Sequence, residues 1–403
     1  MQLTPSGLDK VEALVAKGVS IPNPWTVTIG DDVDVDRISA DGVIIHPGTR
    51  IRGKRTVISA GAELGREGPV TVEDCALGPD VQLKGGYAAK AVFLEGANLG
   101  LGHHVREGSI LEEEAGGAHT VGLKQTILFP FVTLGSLINM CDCLMAGGTS
   151  RTDHSEVGSS YIHFNFTPTG DKATPSLFGD VSRGVMLRER RIFLGGQGGT
   201  VGPSRVAYGT VVGAGEIVRQ DIRDENRLVM PGSAPALSRE FSPNDFRGVA
   251  RLAARNIEYL GVLDSLEQWY RAARAPFFAG QEFGDLVLAE ALKALGAARK
   301  ERAKRLGSLL RKLPGTTEVE QQLVAGVDRV AVADVDGPVP APPAVLTDAL
   351  GAAASAGSSY IAAVQGLPGE VADEGTAWLR EVAAVRVAAA AEAIPAIAPR
   401  FDS

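Results

Sequence analysis

The stretch that decides the fold is AVFLEGANLGLGHHVREGSIL, residues 91–111, in which Phe93, Leu99, Val105 and Leu111 stand six residues apart without a slip. A helix repeats its apolar positions about every 3.6 residues and a half-buried strand about every two, so neither explains this spacing. A hexapeptide β-helix does: each unit gives one short strand and one corner, three units close a triangular coil, and the aliphatic residue points inward. Upstream the period continues through Ile45, Ile51, Val57, Leu64, Val70, Leu77 and Val81 to Leu83 with one-residue slips. Downstream it resumes at Val206, Val212 and Val218. Gly48, Gly53, Gly61, Gly100, Gly102, Gly108, Gly209, Gly213 and Gly215 fall where corners are expected, at points of positive φ or close chain approach. The alternative, glycines in the loops of a β-sandwich, calls for strands recurring about every 8 to 12 residues.

The 403 residues, 44% of them hydrophobic, suffice for a substantial core and more than one domain. A net charge of -8 argues against a surface built for nucleic acid, although a local cluster of cations still suits one small anion. Cys75, Cys141 and Cys143 lack a second pair at zinc-site spacing and read as packing thiols of a reducing compartment. No basic leader precedes an apolar segment, and no run approaches the roughly 20 apolar residues of a bilayer span, so a cytoplasmic protein without membrane contact is expected. Along the chain, residues 1–25 read as an N-terminal helix, capped by Ser6 and stopped by Gly18, with a linker. Residues 26–235 form the β-helix, 243–335 an α-helical domain, 336–344 a proline-rich linker and 345–403 an alanine-rich helical tail.

Polar chemistry is densest from Thr149 to Gly215, where the repeat is interrupted. Arg151, Asp153, His154, His163, Asn165, Asp171 and Lys172 supply a base, hydrogen-bonding groups and cations for a phosphate or carboxylate. Histidine suits a general base near neutral pH, and His154 is the natural candidate. Its other reading is a polar corner residue held by Asp153. The insert Ser182 to Arg191 breaks the repeat and is expected to leave the coil as a loop. Arg183, Arg188, Arg190 and Arg191 are candidate phosphate ligands there, or solvated charges. His103 and His104 should point to opposite faces of one strand, which disfavours a metal site; His46 and His119 read as surface imidazoles.

These residues carry a resemblance. Leu14, Gly18, Val19 and Asn23-Pro24, then Gly195, Pro203, Val206 and Val212 to Gly215, and Asn165 with Lys172, place residues 9–232 or so close to the hexapeptide-repeat acyltransferases. The likeness is specifically to the C-terminal half of the bifunctional N-acetylglucosamine-1-phosphate uridyltransferase and glucosamine-1-phosphate acetyltransferase. The resemblance implies a mainly β protein with a left-handed parallel β-helix, followed here by an α-helical C-terminal region, and a homotrimer with substrates in grooves between subunits. It implies that Asn165 and Lys172 contact an amino-sugar phosphate; Arg151, from the polar stretch, is a further candidate substrate ligand. Gly213, Ala214 and Gly215 would then line the groove for acetyl-coenzyme A. Departures accompany the matches. Phe166 stands where the family has tyrosine, Lys172 lies one residue further from Asn165, and the family's histidine falls nearer Gly147 or Gly148 than His154. The nucleotidyltransferase half has no counterpart, so uridylyl transfer is not expected. Two functions remain open: an acetyltransferase acting on a phosphorylated amino sugar or nucleotide sugar such as UDP-N-acetylglucosamine, and a non-catalytic module that binds such ligands.

Overall fold

Parallel strands wind into a solenoid in a computed structural model that describes residues 7–165, 167, 172–232, 235–240, 242, 246, 248–334 and 338–401. Ser6, Phe166, Asp171, Pro243 to Asp245 and Asp336-Gly337 lie outside the described residues. The coil has about 11 turns and three faces. The first face is a ladder from Ile44–Ile45 through Asn98–Leu99 and Thr133–Leu134 to Leu228–Val229. The second runs from Thr28–Ile29 through Gly86–Ala89 and His103–Val105 to Ile217–Val218. The third includes Val57–Ile58, Ala76–Leu77, Val92–Phe93 and Ile110–Leu111. The second and third merge in Val121–Leu128 and Ile138–Met145, two eight-residue strands that pair in parallel and continue from one face to the next.

The six-residue period is realised as a stack of inward side chains. Phe93 pairs with Leu111, Leu64 with Leu83 and Leu83 with Leu99, all fully buried. Each aliphatic side chain so buried contributes about 1.5–3 kcal/mol, repeated at every rung. The corner glycines act in two ways. Gly61 has a φ of 71°, and a Cβ there would sit 2.0 Å from Asp80 Oδ1; Gly100 keeps an ordinary φ but lies so close to Ala118 that a Cβ would approach its carbonyl carbon to 2.9 Å.

Helix α1 (Leu8–Lys17) buries Val11 and Leu14 against the first coil and stops at Gly18, whose N–H donates to Leu14 and Val15 carbonyls. Its two lysines tie it down, Lys10 through the Asp31 and Val33 carbonyls and Lys17 through that of Ile38. The arginine-rich insert does leave the coil, but not as a solvated loop. It forms the short helix α2 (Val181–Gly184), capped by Asp180, and buries Val181, Val185, Met186 and Leu187.

The C-terminal helices are α3 (Val249–Trp269), α4 (Ala275–Ala279), α5 (Gly284–Leu310), α6 (Glu318–Val330), α7 (Ala344–Ser355), α8 (Tyr360–Gln365) and α9 (Gly369–Ala393). Among the described residues no helix is long and apolar enough to cross a membrane. The alanine-rich tail packs on the helical region: α9 runs along α3, where Ser265 Oγ donates to the Leu379 carbonyl at 2.8 Å. Helix α5 lies against the third face at Ala76–Leu77 and Val92–Phe93, so coil and helices share one apolar core.

Polar anchors fix that docking. A π-helical turn at Tyr270–Arg274 ends α3, and wider turns of this kind reorient side chains. Tyr270 Oη donates to Glu112 Oε1 at 2.7 Å, while Arg274, buried among Tyr270, Phe278 and Tyr360, pairs with Glu112 and Glu113. Further along, Arg255 and Arg251 meet Asp221 at 2.7 and 3.1 Å. Arg302 of α5 pairs with Asp142 and also donates to the Lys172 carbonyl at 3.1 Å.

Candidate functional site

Alternation along each short strand sends every second residue outward, and parallel pairing stacks those residues into columns. On the second face one outward column runs Tyr87, His104, Gly122, Asn139, Ile162. A neighbouring position places Lys124 beside Cys141 on the adjacent coil. Glycine at 122 leaves a notch between His104 and Asn139, where an added Cβ would meet nothing nearer than the Ile138 carbonyl oxygen at 3.6 Å.

A cavity of about 510 Å³ fills this notch, lined by His104, Arg106, Lys124, Leu137, Asn139 and Ile162 among others. It adjoins a second of about 430 Å³ that shares Arg106, Lys124, Asn139, Cys141 and Ile162 and adds His163, Asn165, Lys172 and two α5 residues, Glu301 and Arg305. The groove thus has a floor of solenoid strand and a wall of helix. Arg302, on the same helix, holds the Lys172 backbone in place.

Charge within the groove is mixed. Lys124 Nζ lies 3.0 Å from Glu107 Oε1, and Arg106 Nε 3.7 Å from the same carboxylate. Burial pulls Glu107 upward, but Lys124 and Arg106 more than offset this and hold the carboxyl below its ordinary range. Arg305 is engaged with Glu301 at 2.7 Å. Lys172 is exposed, and among the described residues no carboxylate pairs with it. Cys141, expected as a packing thiol, instead lines the groove; burial and then Asp142 push its pKa up to about 11, so it stays protonated. Cys75 and Cys143 are buried, as expected of packing thiols.

The structure therefore brings Asn165 and Lys172 together and adds Arg106, Lys124 and Asn139 to them. It does not bring Arg151 or His154 to the same cavity. Both belong to an antiparallel excursion, Gly148–Ser150 and Asp153–His154, that leaves the coil after Met145. His154 Nδ1 lies 2.8 Å from the Arg151 carbonyl, and its Nε2 lies 3.9 Å from Glu156. Asp153, expected to hold the imidazole, instead accepts from Thr149 Oγ1 and pairs with Arg191. Arg151 donates to the carbonyls of Glu114 and Phe131, each at 3.0 Å. The insert's arginines are likewise engaged with protein. Arg183 meets Asp180, Glu189 and Glu225, while Arg188 donates to the Gln365 and Leu367 carbonyls and Arg190 to Asn226. Gly213, Ala214 and Gly215 form the corner after Val211–Val212, with nothing within 4 Å of a Cβ built on Gly215.

The histidine pair divides as expected: His103 is buried inward and His104 exposed outward. Burial lowers the pKa of His103 to about 4, and does the same to His163, whose Nε2 lies 2.7 Å from Ser176 Oγ. Among the described residues no group of three or more His, Cys, Asp or Glu is placed to hold a metal ion.

With this geometry established, the chain can be set beside known proteins. Over 214 residues it is 26% identical to the bifunctional protein GlmU of Thermotoga petrophila, an alignment covering 53% of this chain and 42% of that protein. The chain resembles GlmU. The protein of that name from Clavibacter sepedonicus is 28% identical over 205 residues, 51% of this chain and 36% of its own length, and that from Carboxydothermus hydrogenoformans 24% over 237 residues, 59% and 46%. The chain thus spans less than half the length of the GlmU proteins it matches. No family model matches it. The GlmU likeness and the parallel solenoid together fit a hexapeptide-repeat acyltransferase.

Proposed function

We propose that the chain is an acyltransferase of amino-sugar metabolism, moving an acetyl group from acetyl-coenzyme A to the amine of a phosphorylated amino sugar in the second-face groove. One observation carries this: Asn165 and Lys172 share a cavity with Arg106 and Lys124 on a coil similar to GlmU. Clustered cations suit the phosphate, and the Asn165 and Asn139 amides suit sugar hydroxyls. In the reaction the free amine's nitrogen bonds to the acyl carbon, the carbon–sulfur bond breaks, and the proton lost from nitrogen passes to the departing thiolate, releasing coenzyme A as the thiol. The open corner at Gly213, Ala214 and Gly215 would take the coenzyme. Val201 and Val211, large apolar residues exposed on nearby strands, would meet another copy of the chain in a homotrimer.

A second reading, a non-catalytic module that binds the sugar phosphate, is favoured by the position of His154, which faces its own hairpin rather than the groove. Titration calorimetry with glucosamine-1-phosphate and acetyl-coenzyme A, followed by an assay of thiol release, separates the two. Acceptor-dependent release that Lys172→Ala abolishes supports the transferase. Sugar-phosphate binding with neither coenzyme binding nor release supports the module.

A further inference from the structure

Away from the groove, helices α3 and α9 enclose a cavity of about 370 Å³ together with α2 of the arginine-rich insert and Phe401. Its apolar wall follows from helical spacing. Leu379, Ala383 and Val387 stand four residues apart on one side of α9, and they line the cavity with Val262 of α3, Val181 of α2 and Phe401. Short side chains at Ala383 and Ala384 leave the room. The walls are held at backbone contact, because Gly261 brings α3 so close to α9 that a Cβ there would lie 2.7 Å from the Ala383 carbonyl oxygen.

The polar groups of the lining divide into engaged and free. Asp180 Oδ1 accepts from Ser182 Oγ and from the Arg183 N–H, each at 2.8 Å, and Ser265 Oγ is turned to the Leu379 carbonyl. Glu258 takes Arg255 Nη1 on both oxygens, at 2.9 and 2.7 Å. Both carboxylates are thus already satisfied by protein. The two guanidiniums are not. Arg205 reaches Glu258 only at 3.6 Å, and Arg380 is exposed with no carboxylate paired to it among the described residues. Its charge reaches Glu189 through space alone. An apolar cavity with a few placed polar groups is the usual form of a small-molecule site, and a free guanidinium matches a carboxylate with two parallel hydrogen bonds.

We propose that this cavity binds a medium-chain carboxylate, its chain lying between α3 and α9 and its head on Arg380, with Arg205 beside it. Volume sets the length. At about 30 Å³ for each water-sized group, the cavity holds about a dozen non-hydrogen atoms, as many as decanoate has. The site involves neither the groove under α5 nor the coil's corner glycines, so it stands whatever the acceptor is. Its occupant would join α2 of the insert to α9, and saturating ligand would raise the unfolding temperature.

The test is calorimetric titration of the full chain with monomeric decanoate and octanoate, against wild type, Arg380→Gln and Ala384→Phe. Arg380 and Ala384 are both exposed, so both variants should fold, and circular dichroism checks this. Decanoate should bind wild type about 15-fold tighter than octanoate, at about fourfold for each buried methylene. Arg380→Gln should weaken decanoate about 10- to 150-fold, the worth of a hydrogen bond to a charged group. Phenylalanine at 384 should fill the cavity, abolishing binding and the rise in unfolding temperature that decanoate gives the wild type. Absence of decanoate binding to wild type at millimolar concentration would overturn the proposal. So would equal affinity for the two chain lengths, or binding that Ala384→Phe leaves intact, since either places the ligand outside the cavity.

Discussion

Glu112→Gln offers a quantitative check on how the helical region is docked. Glu112 is 1% exposed beneath the π-helical turn and faces Tyr270, Arg274 and, through them, Glu113 and Tyr360. Burial, opposed by Arg274, pushes its carboxyl from an ordinary 4.5 up to about 7. Between those values the folded protein holds a proton that the unfolded chain has released. Stability conferred at this site is therefore complete below about pH 4.5 and is lost as pH rises toward 7, at about 1.4 kcal/mol per pH unit. Over the whole window that amounts to ~3 kcal/mol. Glutamine keeps an oxygen to accept from Tyr270 but does not titrate, so the variant should lack this slope. The assay is urea unfolding at intervals from pH 4.5 to 7.5, followed by tryptophan fluorescence. Trp269 is fully buried beside the cluster, its Nε1 donating to Tyr360 Oη at 2.8 Å. Groups remote from the cluster cancel in the difference between the two proteins; Glu113, whose charge acts directly on Glu112, does not. Identical slopes would refute the reasoning, as would a wild type that gains on the variant as pH rises.

Three further outcomes follow from the groove and its wall. Lys172→Ala should weaken glucosamine-1-phosphate binding about 10- to 150-fold, the worth of a hydrogen bond to a charged group, and flatten its salt dependence in calorimetry. Arg302→Met leaves Asp142 without its buried partner and frees the Lys172 backbone. Loss of a buried partner costs about 3–5 kcal/mol in urea unfolding, and the sugar phosphate should bind more weakly although Arg302 does not line the cavity. His154→Ala, outside the groove, should leave glucosamine-1-phosphate affinity within twofold of wild type by calorimetry.

The solenoid was legible because its signal is local and repeated: every inward position read from the six-residue spacing, from Ile45 to Val218, is buried. Half of the candidate site was legible too, since Asn165 and Lys172 lie close in sequence and do share a cavity. Arg106, Lys124 and Asn139 were passed over because they are ordinary residues on three successive coils, and only the lateral stacking of strands makes them neighbours. The signal was present, as polar residues next to inward aliphatics at His104 to Arg106, Leu123-Lys124 and Asn139-Met140. His154 misled because chemistry was read from residue type. Its hairpin departs from the coil, so counting hexapeptides no longer gives its direction. The insert's arginines misled for a related reason: their partners, Glu225, Asn226 and the Gln365 and Leu367 carbonyls, lie between 36 and 179 residues away in the chain. A helical region docked through buried carboxylates leaves no periodic trace, because Arg274 and Glu112 look in sequence like any surface pair.

The central claim is that Asn165, Lys172, Arg106 and Lys124 form one acceptor site. A crystal structure of the protein soaked with saturating glucosamine-1-phosphate tests it most directly. The account predicts density for the sugar beside Asn165, with its phosphate within hydrogen-bond reach of Lys172 or Lys124. Ligand density at the His154 hairpin or over the Arg183 to Arg191 insert, with this groove empty, would contradict it.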